Sequence, residues 1–207
     1  MARPRSRNAR GEGARLRDDL LTAANEILDE TKDPAKVTVR GITARVGVAP
    51  NAVYLHFADR DELLAAVLVD RFTAFADQIR TAMDSTPEPL ESFRRGHRAY
   101  CDFALEHPGH YQLLFGQGGV RPQRPDLADQ VLTVGLAAFE LCIEGCRRCI
   151  DAGIFAAVDP QALALSIWAM EHGYADLAGT EAGLLLPDAE TLFDTLVAAV
   201  TPRLTSS

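Results

Sequence analysis

Residues 38–64 read TVRGITARVGVAPNAVYLHFADRDELL, and this stretch decides the fold. Thr38 can cap a helix start with its hydroxyl, and Val39, Ile42 and Val46 then share one face of a short helix, Val39 to Val46. Gly47 ends that helix and Val48 plugs the turn. Pro50, with its preset φ, opens a second short helix running to about His56. Ala58-Asp59 precedes a long helix from Asp61 to about Met83. Two short helices joined by a tight glycine turn and packed through Ile42, Val46, Val53 and Phe57 make a helix-turn-helix. In that motif the second helix enters the major groove and offers its N-terminal residues to base edges. The short, uncharged Pro50, Asn51 and Ala52 suit such an approach.

The flanking sequence is helical as well. Leu16, Leu20, Ala24, Ile27 and Leu28 recur every three or four positions from Gly13 to Asp29, and Asp33-Pro34 breaks that pattern. Downstream, helices are predicted from Pro89 to His107, His110 to Phe115, Asp126 to Asp151, Asp159 to Ala178 and Asp188 to Leu204. Asp or Pro marks most of these starts, where the helix dipole favours negative charge and proline lacks only an orphan donor. Pro108-Gly109 and the Gly/Pro-rich stretch Gly116 to Pro125 separate elements. No segment alternates with period two, so the chain is expected to be all-α. The expected organisation is a basic arm at 1–12, a helix-turn-helix domain at 13–60, and a larger helical domain at 61–207 for ligand binding and dimerisation.

Charge supports a polyanion contact confined to one end. The 207 residues carry a formal net charge of −8, yet residues 1–60 hold eleven basic side chains against eight acidic ones. That leaves +3 on the head and −11 on the remainder, the pattern of a basic head on an acidic body. The Arg-rich opening either reaches an adjacent minor groove or is a solvated tail. No apolar run approaches the roughly 18 residues of a membrane span, and four Cys without secretory context read as reduced thiols. The protein is expected to be cytoplasmic, with no membrane partner. It shows no Gly-rich phosphate loop, no HExxH motif and no nucleophile elbow, so neither catalysis nor a cofactor nor a metal is expected.

Thr38, Arg40, Ile42, Gly47-Val48, Tyr54, His56-Phe57, Arg60 and Leu63-Leu64 together resemble the DNA-binding domain of the TetR family of transcriptional regulators. The resemblance implies a dimeric regulator, most often a repressor, that holds a palindromic operator in double-stranded DNA and is released by a small-molecule effector. It also implies that the Tyr54 hydroxyl, His56 and Arg60 form a phosphate clamp. The physical reading adds Thr38 and the helix-start amides as phosphate ligands. Asn51 suits an adenine edge, Ala52 a thymine methyl, and Arg40 a guanine or a phosphate, with Pro50 and Leu55 at the groove surface. The chain departs from the family pattern at Thr43, Val46 and Ala49. Ala49 has no hydroxyl with which to cap the recognition helix.

Tyr111-Gln112-Leu113-Leu114-Phe115-Gly116 and Trp168-x-x-x-His172-Gly173 are similar to the ligand domain of a Trp-His-Gly-containing subset of these regulators. They suggest a pocket lined by Phe103, Tyr111, Phe115, Trp168 and Met170, with Glu171 or His172 as polar contact. Alternatively, Trp168 is plain core and His172 satisfies a buried carbonyl. Cys142, Cys146 and Cys149 share a helix face. They read either as a soft-metal or thiol sensor on the same scaffold or as small apolar residues at a helix seam. The helix Asp126–Asp151 is apolar on more than one face, and with the last helix it is a candidate dimer surface.

Overall fold

The computed structural model describes residues 12–116 and 121–201, and every regular element among them is helical. The helices are α1 (Glu12–Thr31), α2 (Val39–Val46), α3 (Arg60–Asp84), α4 (Pro89–Glu106), α5 (Pro108–Phe115), α6 (Pro125–Asp151), α7 (Pro160–Ala178) and α8 (Ala189–Val200). Three 3-10 helices, Pro34–Lys36, Pro50–Leu55 and Glu181–Leu185, lie between them. The basic arm, the middle of the 116–125 loop and the end of the last predicted helix lie outside the described residues.

The capping residues behave as their chemistry dictates. Thr38 Oγ1 accepts from the Gly41 amide at 3.1 Å, Asp159 from Gln161 and Ala162, and Asp188 from Thr191. Asp59 and Glu62 form a reciprocal box at the start of α3: the Glu62 amide donates to Asp59, and the Ala58 amide donates to Glu62. Backbone bonds to these acids come first among the causes that hold Asp59 and Asp188 below the usual carboxylate range.

Three local readings need correction. The second helix of the helix-turn-helix is a 3-10 segment that ends at Leu55, with His56 as its cap. Ala49 offers no side-chain oxygen to the start of that segment. Pro108 begins α5 rather than separating helices, because a first-turn proline forgoes only an orphan donor. Asp33, read as a breaker, caps the Pro34–Lys36 turn by accepting from Ala35 at 2.9 Å.

The chain divides into two compact units. One holds the residues up to Asp70 together with Gly109–Val131; the other holds Arg71–Pro108 and the residues from Leu132 onward. In the first, Leu20, Ala24 and Leu28 of α1 are buried with Ile42, Val53, Phe57, Leu63 and Leu68. The second has a core of Phe93, Ile143, Cys146, Cys149, Phe155, Ala164, Ile167 and Phe193. A Cβ at Gly145 would run into the Phe93 ring, so α6 approaches α4 closely only because that residue is glycine. Arg148 donates to Ser92 Oγ at 3.1 Å and to the Pro87 carbonyl at 3.2 Å, and Ser92 in turn donates to Met83 O at 2.8 Å.

Gly47 has φ +76° and ψ 29°, with open space where a Cβ would stand. Backbone strain alone then opposes a side chain there. Gly47→Ala is expected to cost about 1–2 kcal/mol, and Gly47→Asn less, as measured by denaturant unfolding.

Candidate nucleic-acid interface

The Pro50–Leu55 segment is two-faced. Val53 is fully buried and Phe57 is 2% exposed, whereas Tyr54 is 53% and Leu55 74% exposed. Pro50 and Asn51 are exposed and Ala52 is half-buried. The apolar anchors thus push Asn51, Tyr54 and Leu55 outward on one short segment. Tyr54 and Leu55 are adjacent large side chains facing water, and large exposed apolar groups in a cluster mark contact surfaces.

Around this segment, Thr38, Arg40 and Arg60 are also exposed. Arg40 and Arg60 have no ion-pair partner among the described residues. Arg45 differs: its guanidinium binds Glu30 and, at 3.4 Å, Glu26, both on α1. The hydrogen bond with Glu30 leads the causes that raise Arg45 above its ordinary value and lower Glu30 below its own. Arg45 therefore ties α2 to α1 instead of standing free for phosphate. Arg17 lies over the Phe57 ring at 5.4 Å, bracing the same motif.

His56 sits differently from the sequence expectation. Its Nε2 is enclosed and has no hydrogen-bond partner among the described residues, so in this geometry that nitrogen faces protein rather than an open surface. Thr43, a departure from the family pattern, is accommodated: its hydroxyl donates to Val39 O at 2.9 Å, so the buried oxygen is satisfied.

The proposed ligand residues fall in both units. Tyr111 and Phe115 belong to the first, where their rings lie 5.3 Å apart. Phe103, Trp168, Glu171 and His172 belong to the second. There, Trp168 meets the His172 ring edge-on at 4.4 Å and Phe139 at 5.3 Å. Phe103 packs on Phe75 at 4.8 Å, and Phe75 meets Tyr100 at 5.4 Å. The His172 Nδ1 lies 3.2 Å from the Tyr100 hydroxyl, so this partner is a phenol rather than a backbone carbonyl. Burial lowers the His172 pKa against the opposing pull of Asp176.

Glu171 is not an open polar contact. It is 4% exposed and paired with His97 at 2.8 Å. Sequence reasoning passed over His97; the available signal was its place three residues before Tyr100 on α4, opposite the adjacent Glu171 and His172 of α7. His110, which had no evident partner in the sequence, meets Asp29 in the first unit at 2.8 Å.

The cysteines are free thiols. Cys142 is pushed far up, first by its hydrogen bond with Cys146 and then by burial, and burial raises Cys149 to about 11. Arg147 turns to Glu144 and Arg148 to Ser92 and Pro87. Protonated, enclosed thiols of this kind pack as small apolar residues.

Among the described residues, no helix is long and apolar enough to cross a membrane. Residues 20–67 match the family described as bacterial regulatory proteins, tetR family, and residues 93–200 match the tetracyclin repressor-like C-terminal domain. An HTH-type transcriptional regulator of Mycobacterium tuberculosis is 32% identical over 84 residues, 40% of this chain. That match spans 36% of the relative's own length. A solved structure of a protein with unknown function from Rhodococcus sp. RHA1 superposes with TM-score 0.77 at 26% identity, covering 97% of this chain and 100% of that one. The TetR family transcriptional regulator PfmR from Thermus thermophilus shares the fold, with TM-score 0.66 at 17% identity over 86% of this chain and 97% of that one. The first match covers the helix-turn-helix with its exposed Pro50–Leu55 segment and the second covers most of the helical body that follows, and the chain belongs to the TetR family of bacterial transcriptional regulators.

Proposed function

We propose that the protein is a repressor that binds a palindromic operator as a homodimer and is released by a small-molecule effector, with no catalytic activity of its own. The helix-turn-helix head, residues 13–60, reads DNA, and the body, residues 61–207, binds the effector and the second copy. The observation that carries this reading is the outward projection of Asn51, Tyr54 and Leu55 from a segment anchored by the fully buried Val53. In it, Asn51 and Ala52 read bases, Pro50 and Leu55 fill the groove surface, and Thr38, Arg40, Tyr54 and Arg60 hold the backbone. His56 joins the clamp through Nδ1, since its Nε2 is enclosed.

The aromatic cluster of Phe103, Trp168 and His172 in the second unit supports an effector site of the kind found in the Trp-His-Gly subset. The exposed Leu132 and Leu136 of α6, together with α8, suit a two-fold interface. Effector binding acts by favouring a dimer whose heads no longer match the operator spacing, with α3 as the lever.

Selection of bound sequences from random duplex DNA tests the reading. An inverted repeat with half-site centres about 34–36 Å apart supports it; enrichment of no repeat overturns it. Tyr54→Phe and Arg60→Ala are each expected to weaken binding to all sequences alike. Arg60→Ala should also reduce the slope of log affinity against log salt by about one for a lost cation–phosphate contact, whereas loss of the neutral Tyr54 hydroxyl should leave the slope unchanged. Fluorescence anisotropy over a salt series reads both.

A further inference from the structure

The second unit buries an ionisable pair that DNA contact leaves unused. His97 is 3% exposed, and other helices engage both of its ring nitrogens. Nδ1 lies 2.8 Å from Glu171 Oε1 on α7, and Nε2 lies 3.1 Å from the carbonyl oxygen of Ala189, the first residue of α8. A carbonyl only accepts, so Nε2 carries hydrogen. The Nδ1–Glu171 contact needs a hydrogen of its own, because a ring lone pair facing a carboxylate would repel it. Ring and carboxyl together therefore hold one proton more than a neutral imidazole beside an ionised Glu171.

We propose that this shared proton is a bolt that fixes the terminal helix α8 onto α4 and α7, making the docking of α8 protonation-dependent and His97 its positioning residue. The consequence for dimerisation rests on the reading above that α8 contributes to the two-fold interface.

The rest of the α8 attachment explains why one buried proton matters. Phe193 is the fully buried residue of α8; its ring lies 5.1 Å from His97 and 5.8 Å from Phe93. The ion pairs that join α8 to α4 are exposed: Arg94 with Asp194 at 2.6 Å and Glu190 at 3.6 Å, and Arg98 with Glu190 at 3.4 Å. At the far end of α8 the Val200 carbonyl accepts from the Ala156 amide at 2.9 Å. Exposed ion pairs contribute little each, whereas a buried charge-assisted pair is costly to break. His97 also lines a cleft of about 710 Å³ with Tyr174 and Asp188, so solvent has a route toward the pair.

The titratable groups around the ring come from α4, α7 and the α8 cap. Cys101 of α4 lies 3.8 Å from Nε2, and Glu171 of α7 lies 2.8 Å from Nδ1. Tyr174 of α7 and Asp188 of the α8 cap line the same cleft as His97, and Glu171 in turn helps raise Cys142 of α6. Burial opposes the charge on His97, but Cys101 and Glu171 outweigh it and carry the imidazole up to about 10. Burial also raises Glu171. Because the folded value of His97 stands above its ordinary 6.5, its stabilisation is complete below that pH and is lost as pH rises through about 10.

Hydrogen exchange on the full chain between pH 7 and 11 tests this, with protection factors in α8 compared with those in α4. In the wild type, α8 protection is expected to fall at least tenfold around pH 10 while α4 stays protected. His97→Gln should lower α8 protection already at pH 7 and abolish the step. Glu171→Gln, which keeps shape but not charge, should move the step down by more than one pH unit. A flat wild-type profile, or a step that persists unchanged in His97→Gln, overturns the bolt. Sedimentation of the same samples separates the two readings: α8 loosening with the dimer intact upholds the bolt and removes α8 from the proposed interface.

Discussion

Phe193→Ala is expected to destabilise the second unit by about 3–5 kcal/mol, the range for emptying a fully buried phenylalanine site. The ring has no exposed surface and lies edge-on to Phe93 at 5.8 Å. Arg94 also covers it, its guanidinium 4.9 Å from the ring centroid. Phe93 in turn meets Phe155 at 6.0 Å, so the cavity would open in an aromatic cluster that cannot collapse without moving α4, α8 and the turn after α6. Urea unfolding followed by circular dichroism measures the loss. A cost below about 1 kcal/mol would mean that α8 is not seated as described. Phe193→Leu, which refills most of the volume, should recover more than half of it.

Val53→Asp and Leu55→Asp should differ sharply although the residues are two apart. Val53 is fully buried beneath the recognition segment, and a carboxylate there has no partner; the penalty is on the order of 3–5 kcal/mol. The head should lose its fold, and all DNA binding with it. Leu55 is 74% exposed, so Leu55→Asp should leave thermal stability within about 0.5 kcal/mol of wild type. Its carboxylate would instead oppose the phosphates, weakening specific and non-specific binding together. Calorimetry beside anisotropy separates the two variants. Equal stability for both would refute the two-faced geometry of Pro50–Leu55.

Much of this architecture could be read from spacing. Ile42, Gly47, Pro50, Val53 and Phe57 stand at the positions that a helix-turn-helix requires, and caps such as Thr38, Asp159 and Asp188 place helix starts within a residue. These features are local, because a cap or a turn depends on residues three or four apart. What escaped the reading is long-range. His97 and Glu171 are 74 residues apart, and His110 and Asp29 are 81 apart. No periodicity links such partners. The 3-10 form of Pro50–Leu55 was hidden for another reason: its apolar spacing suits either helix type.

Arg45 shows why a tally of cations overstates what a polyanion meets. With that guanidinium committed to Glu30 and Glu26, each head presents fewer mobile positive groups than its arginine content suggests. Fewer condensed counterions are then liberated per bound head. Discrimination among sites must rest more heavily on edge contacts and duplex deformability, which are the quantities that survive at high ionic strength.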